Sequence, residues 1–164
     1  MKIIEFYLNI VHFCYYKAHY KLHLLTNKVN PFRLLAEIPV VKKRLEKKGV
    51  KNIQKEIDTA FGNKKNGLSI TVAGGFLFVL LFFFFFGVFS LIYKSFTAEY
   101  LKTSHFVVFG VLSTVVCYAF VFKKDKYIKY FDKFEKWNKG EKRKYNFSAL
   151  CITVIIIAIW ILSF

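Results

Sequence analysis

The sequence predicts an all-α integral membrane protein: three transmembrane helices, an amphipathic N-terminal helix and juxtamembrane cytosolic helices. Three observations carry this prediction. The 164 residues are 55% apolar with 21 Phe, yet hold 26 Lys and Arg against 10 Asp and Glu, for a net charge of +16. The apolar and basic residues are sorted into blocks, which a codon preference for Phe and Lys does not explain. Three stretches, 66–93, 103–122 and 145–164, contain no Asp, Glu, Lys or Arg, and about 20 mostly apolar residues carry a helix across the hydrocarbon core. Disorder is excluded by the hydrophobicity. A disulfide scaffold is excluded by a cysteine count of three, too few and odd.

Residues 1–66 read as a basic, helical cytoplasmic region. Its first helix runs from about Lys2 to Asn27. The polar residues Lys2, Glu5, Asn9, His12, Tyr16, His19, His23 and Thr26 recur at steps of three or four, so they form one stripe on a helix. The other faces are largely apolar. Such a helix lies in the bilayer interface or packs on a partner, with the stripe as its wet side. Glu5 and His12 interrupt the apolar run and no small-residue cleavage site follows, so a signal peptide is not expected. Asn30-Pro31 breaks the helix. Pro39 opens a short helix from Val40 to Lys48, which Gly49 ends in the C′ position. Val50, Ile53, Ile57, Ala60 and Phe61 mark a further amphipathic helix closing at Gly62. Lys42, Lys43, Arg44, Lys47, Lys48 and Lys51 gather ahead of the first apolar stretch. Beside a membrane each would attract anionic headgroups by about 1 kcal/mol.

The first transmembrane helix is assigned to 67–93, a short external loop to 94–104, and the second helix to 105–122. A basic cytoplasmic linker follows over 123–146, and the third transmembrane helix over 147–164. Lys and Arg number 14 in residues 1–67, 2 in 94–104, 10 in 123–146 and none after the last apolar stretch. This alternation places the N-terminus and the linker in the cytoplasm and the C-terminus outside. In the linker, Asp125–Lys129, Asp132–Lys136 and Glu135–Lys139 are acid-before-base pairs four apart, which support a helix. The second transmembrane helix is therefore expected to continue into the cytosol, with Gly140 as its stop. Tyr127, Tyr130, Phe131, Phe134 and Trp137 share one face of that extension. The face is expected to meet lipid headgroups, the N-terminal helix or another protein. Gly110, Ser113, Thr114 and Cys117 make a small-residue seam in the second transmembrane helix, suited to close helix packing. Cys14, Cys117 and Cys151 are expected as free thiols in apolar surroundings.

Little catalytic chemistry is visible. His12, His19 and His23 lie on one helical stripe, and the four-residue step from His19 to His23 lets two imidazoles grip one metal. No Cys-x-x-Cys or acidic ligand completes a known motif, so no metal or cofactor is expected. There is no Gly-x-Ser-x-Gly and no phosphate-binding glycine loop. The apolar stretches lack the ionisable residues on which pumps and proton-coupled transporters rely. The cations are nearly all Lys, with Arg33, Arg44 and Arg143 the exceptions, whereas base readout favours Arg. Nucleic acid is therefore not an expected partner. The expectation is a non-enzymatic membrane subunit of accessory, anchoring or inhibitory (immunity) type, binding a partner through its cytoplasmic helices. The alternative is a homo-oligomeric pore or membrane-disrupting effector. The expected partners are anionic lipid and either another protein or a second copy, and the expected location is the bacterial inner membrane.

Overall fold

The computed structural model describes residues 2–28, 30, 38–47, 49–50, 52–97 and 101–164. Pro31, Lys48, Lys51 and the loop residues 98–100, to which the sequence assigns roles, lie outside the described residues. Every described element is helical: α1 (Lys2–Asn27), α2 (Pro39–Lys47), α3 (Ile53–Gly62), α4 (Leu68–Phe96), α5 (Thr103–Cys117), α6 (Lys126–Glu135) and α7 (Lys139–Leu162). A π-helical turn over Tyr118–Phe122 and a 3-10 turn over Lys123–Asp125 join α5 to α6. Three helices are long and apolar enough to cross a membrane: α4, the run Thr103–Glu135 that opens with α5, and α7. The chain forms two compact units, one of residues 1–15 with 74–164 and one of residues 16–73.

In the first unit α4 is flanked by α5 and α7. Phe86 stacks on Phe106 of α5 at 4.4 Å between ring centroids, and Phe89 meets Phe109 at 4.9 Å. Toward α7, Phe83 stacks on Trp160 at 4.4 Å, and Ser90 Oγ donates to the Ser163 carbonyl at 2.9 Å. The C-terminal ends of α4 and α7 meet, so these two helices run parallel. The far end of the α5 extension, at Phe122, meets the α4 backbone at Gly74, so α5 runs antiparallel to both. Gly87 lets α4 approach α7 closely: a Cβ there would lie 3.2 Å from Trp160 Cα. Among apolar helices, such close approach supplies the contact area that a hydrophobic driving force cannot.

The expected unbroken extension of α5 is not formed. After the π-helical turn, Lys124 (φ 58°) and Asp125 (φ 52°) sit in the left-handed region, which costs a non-glycine residue roughly 1–2 kcal/mol. The chain bends there, and α6 lays Tyr127, Phe131 and Phe134 into the interior. Gly140 is not a stop. Asn138 Oδ1 accepts the Glu141 N–H at 2.8 Å while Glu141 Oε2 accepts the Asn138 N–H at 2.9 Å. That reciprocal cap starts a new helix, so Gly140 falls in the first turn of α7, and this helix begins eight residues before the apolar segment assigned from Phe147.

The polar stripe of α1 proves to be a packing face. In the first unit Asn9 and His12 are wholly buried, while Ile3 is 73% exposed and Ile4 57%. Part of the reason is what the stripe faces: Asn9 meets the Phe120 carbonyl and Glu5 meets Lys126, groups that polar side chains satisfy and aliphatic ones do not.

The second unit comprises the remainder of α1, α2, α3 and the start of α4. Asn52 caps α3, its Oδ1 accepting the Lys55 N–H at 3.0 Å. Tyr16 OH donates to the Gly62 carbonyl at 2.6 Å, closing α3 against α1. The sequence-expected stop of α2 holds, with Gly49 at φ 81°, a conformation open to glycine. No residue of α2 is buried.

Candidate functional site

Two side-chain clusters hold the polar chemistry, one in each unit. In the first unit, Glu5 is the only acid of α1. It accepts hydrogen bonds from Lys126 Nζ at 2.8 Å and from Tyr130 OH at 3.2 Å. The Lys126 hydrogen bond holds the Glu5 carboxyl below its ordinary value, against a smaller opposing effect of burial. Lys126 Nζ also donates to the Ala119 carbonyl at 3.3 Å. Asn9 Nδ2 donates to the Phe120 carbonyl at 3.1 Å and to the Glu5 carbonyl at 2.7 Å. Carbonyls in the last turn of a helix lack in-line amide donors, and two of those ending the α5 extension are reached by these side chains. One turn further along α1, the His12 ring lies among Phe122, Tyr127 and Phe131, at 5.4, 5.6 and 5.2 Å.

The aromatic face of α6, expected to meet lipid, α1 or another protein, is filled by α1. Phe13 packs on Phe131 at 5.0 Å and on Phe134 at 5.5 Å, and Phe6 on Phe134 at 5.7 Å. Tyr130 is held by Glu5 as above. Trp137, half-buried, stacks on Phe134 at 4.2 Å and on Tyr145 at 4.3 Å. Nearby, Cys14 Sγ donates to Asn146 Oδ1 at 3.2 Å. Burial pushes its thiol up to about 11, so at neutral pH it lacks the thiolate that nucleophilic chemistry needs.

In the second unit, His23 Nε2 lies 3.0 Å from Asp58 Oδ1, and Asn27 Nδ2 donates to the same oxygen at 2.8 Å. Phe61 stacks face to face on His23 at 3.6 Å. His19 Nδ1 and Ser69 Oγ are 3.0 Å apart. Serine and aspartate thus use different imidazoles, and among the described residues these groups form no serine–histidine–aspartate relay. An open polar groove of about 610 Å³ runs between Tyr20 and the α3 residues Lys55, Asp58 and Thr59.

The three candidate metal histidines fall in different units. His12 belongs to the first unit, while His19 and His23 belong to the second and are engaged by Ser69 and Asp58. Among the described residues no group of three His, Cys, Asp or Glu could hold a metal ion. The α5 seam divides. Ser113 and Cys117 are buried, whereas Thr114 is exposed and a Cβ at Gly110 would meet nothing within 4 Å. Of the basic cluster, Lys42, Lys43, Arg44 and Lys47 all lie exposed on α2. The sequence assigned no role to Asn9, Asp58, Lys126 or Gly87. Asn9 stood in the polar stripe and Gly87 interrupts a run of large side chains, so both carried a signal. Asp58 and Lys126 looked like any surface charge.

Fold and contacts together define a small all-helical protein with three helices long and apolar enough to cross a membrane. No protein-family model, curated protein or solved structure matches the chain.

Proposed function

We propose that the protein is a three-span membrane protein of accessory or inhibitory type, which acts by binding another protein at the cytoplasmic face of the bacterial inner membrane and not by catalysis. The observation that supports this is the sorting of charge along the first unit. The linker carrying ten Lys and Arg returns to α1 at the end of the bundle where Phe122 meets Gly74. The opposite end carries Lys94 and Lys102. Basic residues accumulate on the cytoplasmic side of membrane proteins. The exposed cations of α2, on a helix with no buried residue, suit contact with anionic headgroups.

Cysteine labelling in intact cells tests the topology, with Cys14, Cys117 and Cys151 replaced by alanine. Thr103→Cys should react with a membrane-impermeant maleimide from outside, and Lys139→Cys only after permeabilisation. The reverse pattern sinks the proposed orientation. Native mass spectrometry of gently extracted protein tests the partner. One copy bound to a different protein supports the accessory reading, and a lipid-bound monomer throughout counts against it.

A pore or membrane-disrupting assembly is the second reading. It is favoured by the outward Gly110 and Thr114, which leave room for a second backbone. There Gly110→Leu should abolish both a homo-oligomer and ion leakage without unfolding the monomer.

A further inference from the structure

The bend between α5 and α6 has no local cause in the sequence. Neither Gly nor Pro occurs between Val111 and Lys139. Asp125–Lys129 and Asp132–Lys136 are spaced to support a continuous helix. Lys124 and Asp125 are nevertheless left-handed, the only non-glycine residues so placed among those described. A conformation that local preference opposes persists where surrounding structure holds it. Here the surrounding structure is α1. Asn9 is bonded to the Phe120 carbonyl, Glu5 grips Lys126 and Tyr130, and Lys126 reaches back to the Ala119 carbonyl. Phe6 and Phe13 cover the rings of α6. All of these but the Lys126–Ala119 bond join α1 to the bend or to the helix just after it, and π-helical turns of this kind often mark functional joints.

We propose that residues 5–13 are a latch that holds this joint bent, and that the protein has a second state in which the latch is withdrawn. In that state Thr103–Glu135 straightens into one helix and the face of Tyr127, Phe131 and Phe134 is bared. The occupant it then takes is a partner protein's amphipathic helix with aromatic residues seven apart, as Phe6 and Phe13 are in α1. The identity of that occupant rests on the accessory reading above; the joint does not, and is tested without a partner.

The test is double electron–electron resonance on the full chain in lipid nanodiscs, with the three native cysteines replaced by alanine. Spin labels go on Val111→Cys and Lys133→Cys, both exposed. A straight helix separates these positions by about 33 Å, 22 residues at 1.5 Å each. With the latch intact a single shorter distance should dominate, and any straight form should stay below about 10%, as for a minor state. Glu5→Gln with Asn9→Leu should raise a component near 33 Å several-fold. Adding Lys124→Gly and Asp125→Gly, which removes the left-handed penalty of the bend, should suppress that component again. The proposal is overturned if the latch variant shows no long component, if the glycine pair leaves that component unchanged, or if a broad distribution marks loss of the fold.

Discussion

Gly87 offers the sharpest test of the helix packing. A Cβ at this position would lie 3.2 Å from Trp160 Cα and 3.2 Å from Ile159 Cγ2. Carbon atoms rest at about 3.5–4.0 Å, so even Gly87→Ala requires α4 and α7 to part by several tenths of an ångström. Backbone is among the atoms struck, so side-chain rotation alone does not relieve the clash. The Phe83–Trp160 stack and the Ser90–Ser163 hydrogen bond bracket the position and must loosen with it. Overpacking of a tight interface costs about 1–3 kcal/mol; alanine belongs near the lower figure and leucine at or above the upper. Gly110 is the internal control, because a Cβ there meets nothing within 4 Å, and Gly110→Ala should match the parent or exceed it by up to about 1 kcal/mol, the gain of alanine over glycine inside a helix. Thermal unfolding in mild detergent, followed by tryptophan fluorescence, gives the ranking. Disulfide trapping between Ser90→Cys and Ser163→Cys reads the interface directly and should weaken in Gly87→Ala. If Gly87→Ala melts with the parent and traps as fast, α4 and α7 do not approach as described.

Three further outcomes are expected. The Glu5 carboxyl is held below its ordinary value by Lys126, so its ionised form favours the docked α1. That contribution is complete above the ordinary carboxylate range and is lost as pH falls through the lowered value of the folded state. Amide exchange of residues 3–13 should therefore accelerate on acidification, and Glu5→Gln should flatten the response. Phe131→Ala removes a wholly buried ring at a cost of about 3–5 kcal/mol, and should strip amide protection from residues 3–13 while leaving the middle of α4 protected. Asp58→Ala takes the acceptor from His23 and Asn27, at about 1–3 kcal/mol. It should raise amide exchange in residues 53–62 and leave 126–135 unchanged.

Most of the helices were legible because their signals are local. The uncharged stretches, the capping Gly49 and the three-to-four-residue periodicity of Ile53, Ile57 and Phe61 each act within a few residues, and α2, α3 and the three long helices follow from them. The cap at Asn138 was legible too: Asn138 and Glu141 stand three apart, the spacing of a reciprocal cap. Gly140 beside it is the misleading signal, because glycine is the commoner punctuation but here sits in the first turn of α7. The polar stripe of α1 is the single face its periodicity predicts, but Asn9, His12 and Tyr16 are buried and not wet. Periodicity shows that residues share a side but not what that side meets, and here Asn9 and His12 meet a backbone carbonyl and aromatic rings, not water.

The bend before α6 was illegible for a deeper reason. Local preference and tertiary contact pull residues 118–125 in opposite directions. A window of sequence reports the first alone, and tertiary context overrides helix propensity of this size. The contacts that win come from Glu5 and Asn9, more than 100 positions away in the chain. Each is weak by itself: a partly exposed ion pair and a side-chain bond to a carbonyl are worth about 1 kcal/mol apiece. The left-handed pair costs a similar amount for each of its two residues. The larger contribution is burial of the Phe131 and Phe134 rings under Phe13, at about 1.5–3 kcal/mol for each large side chain, and it is available only once the chain has bent. The polar contacts thus set where the joint bends, and the aromatic cover makes the bend worth keeping. A straight helix would leave those rings facing outward, so whichever surface covers them, α1 or another, decides the shape of the joint.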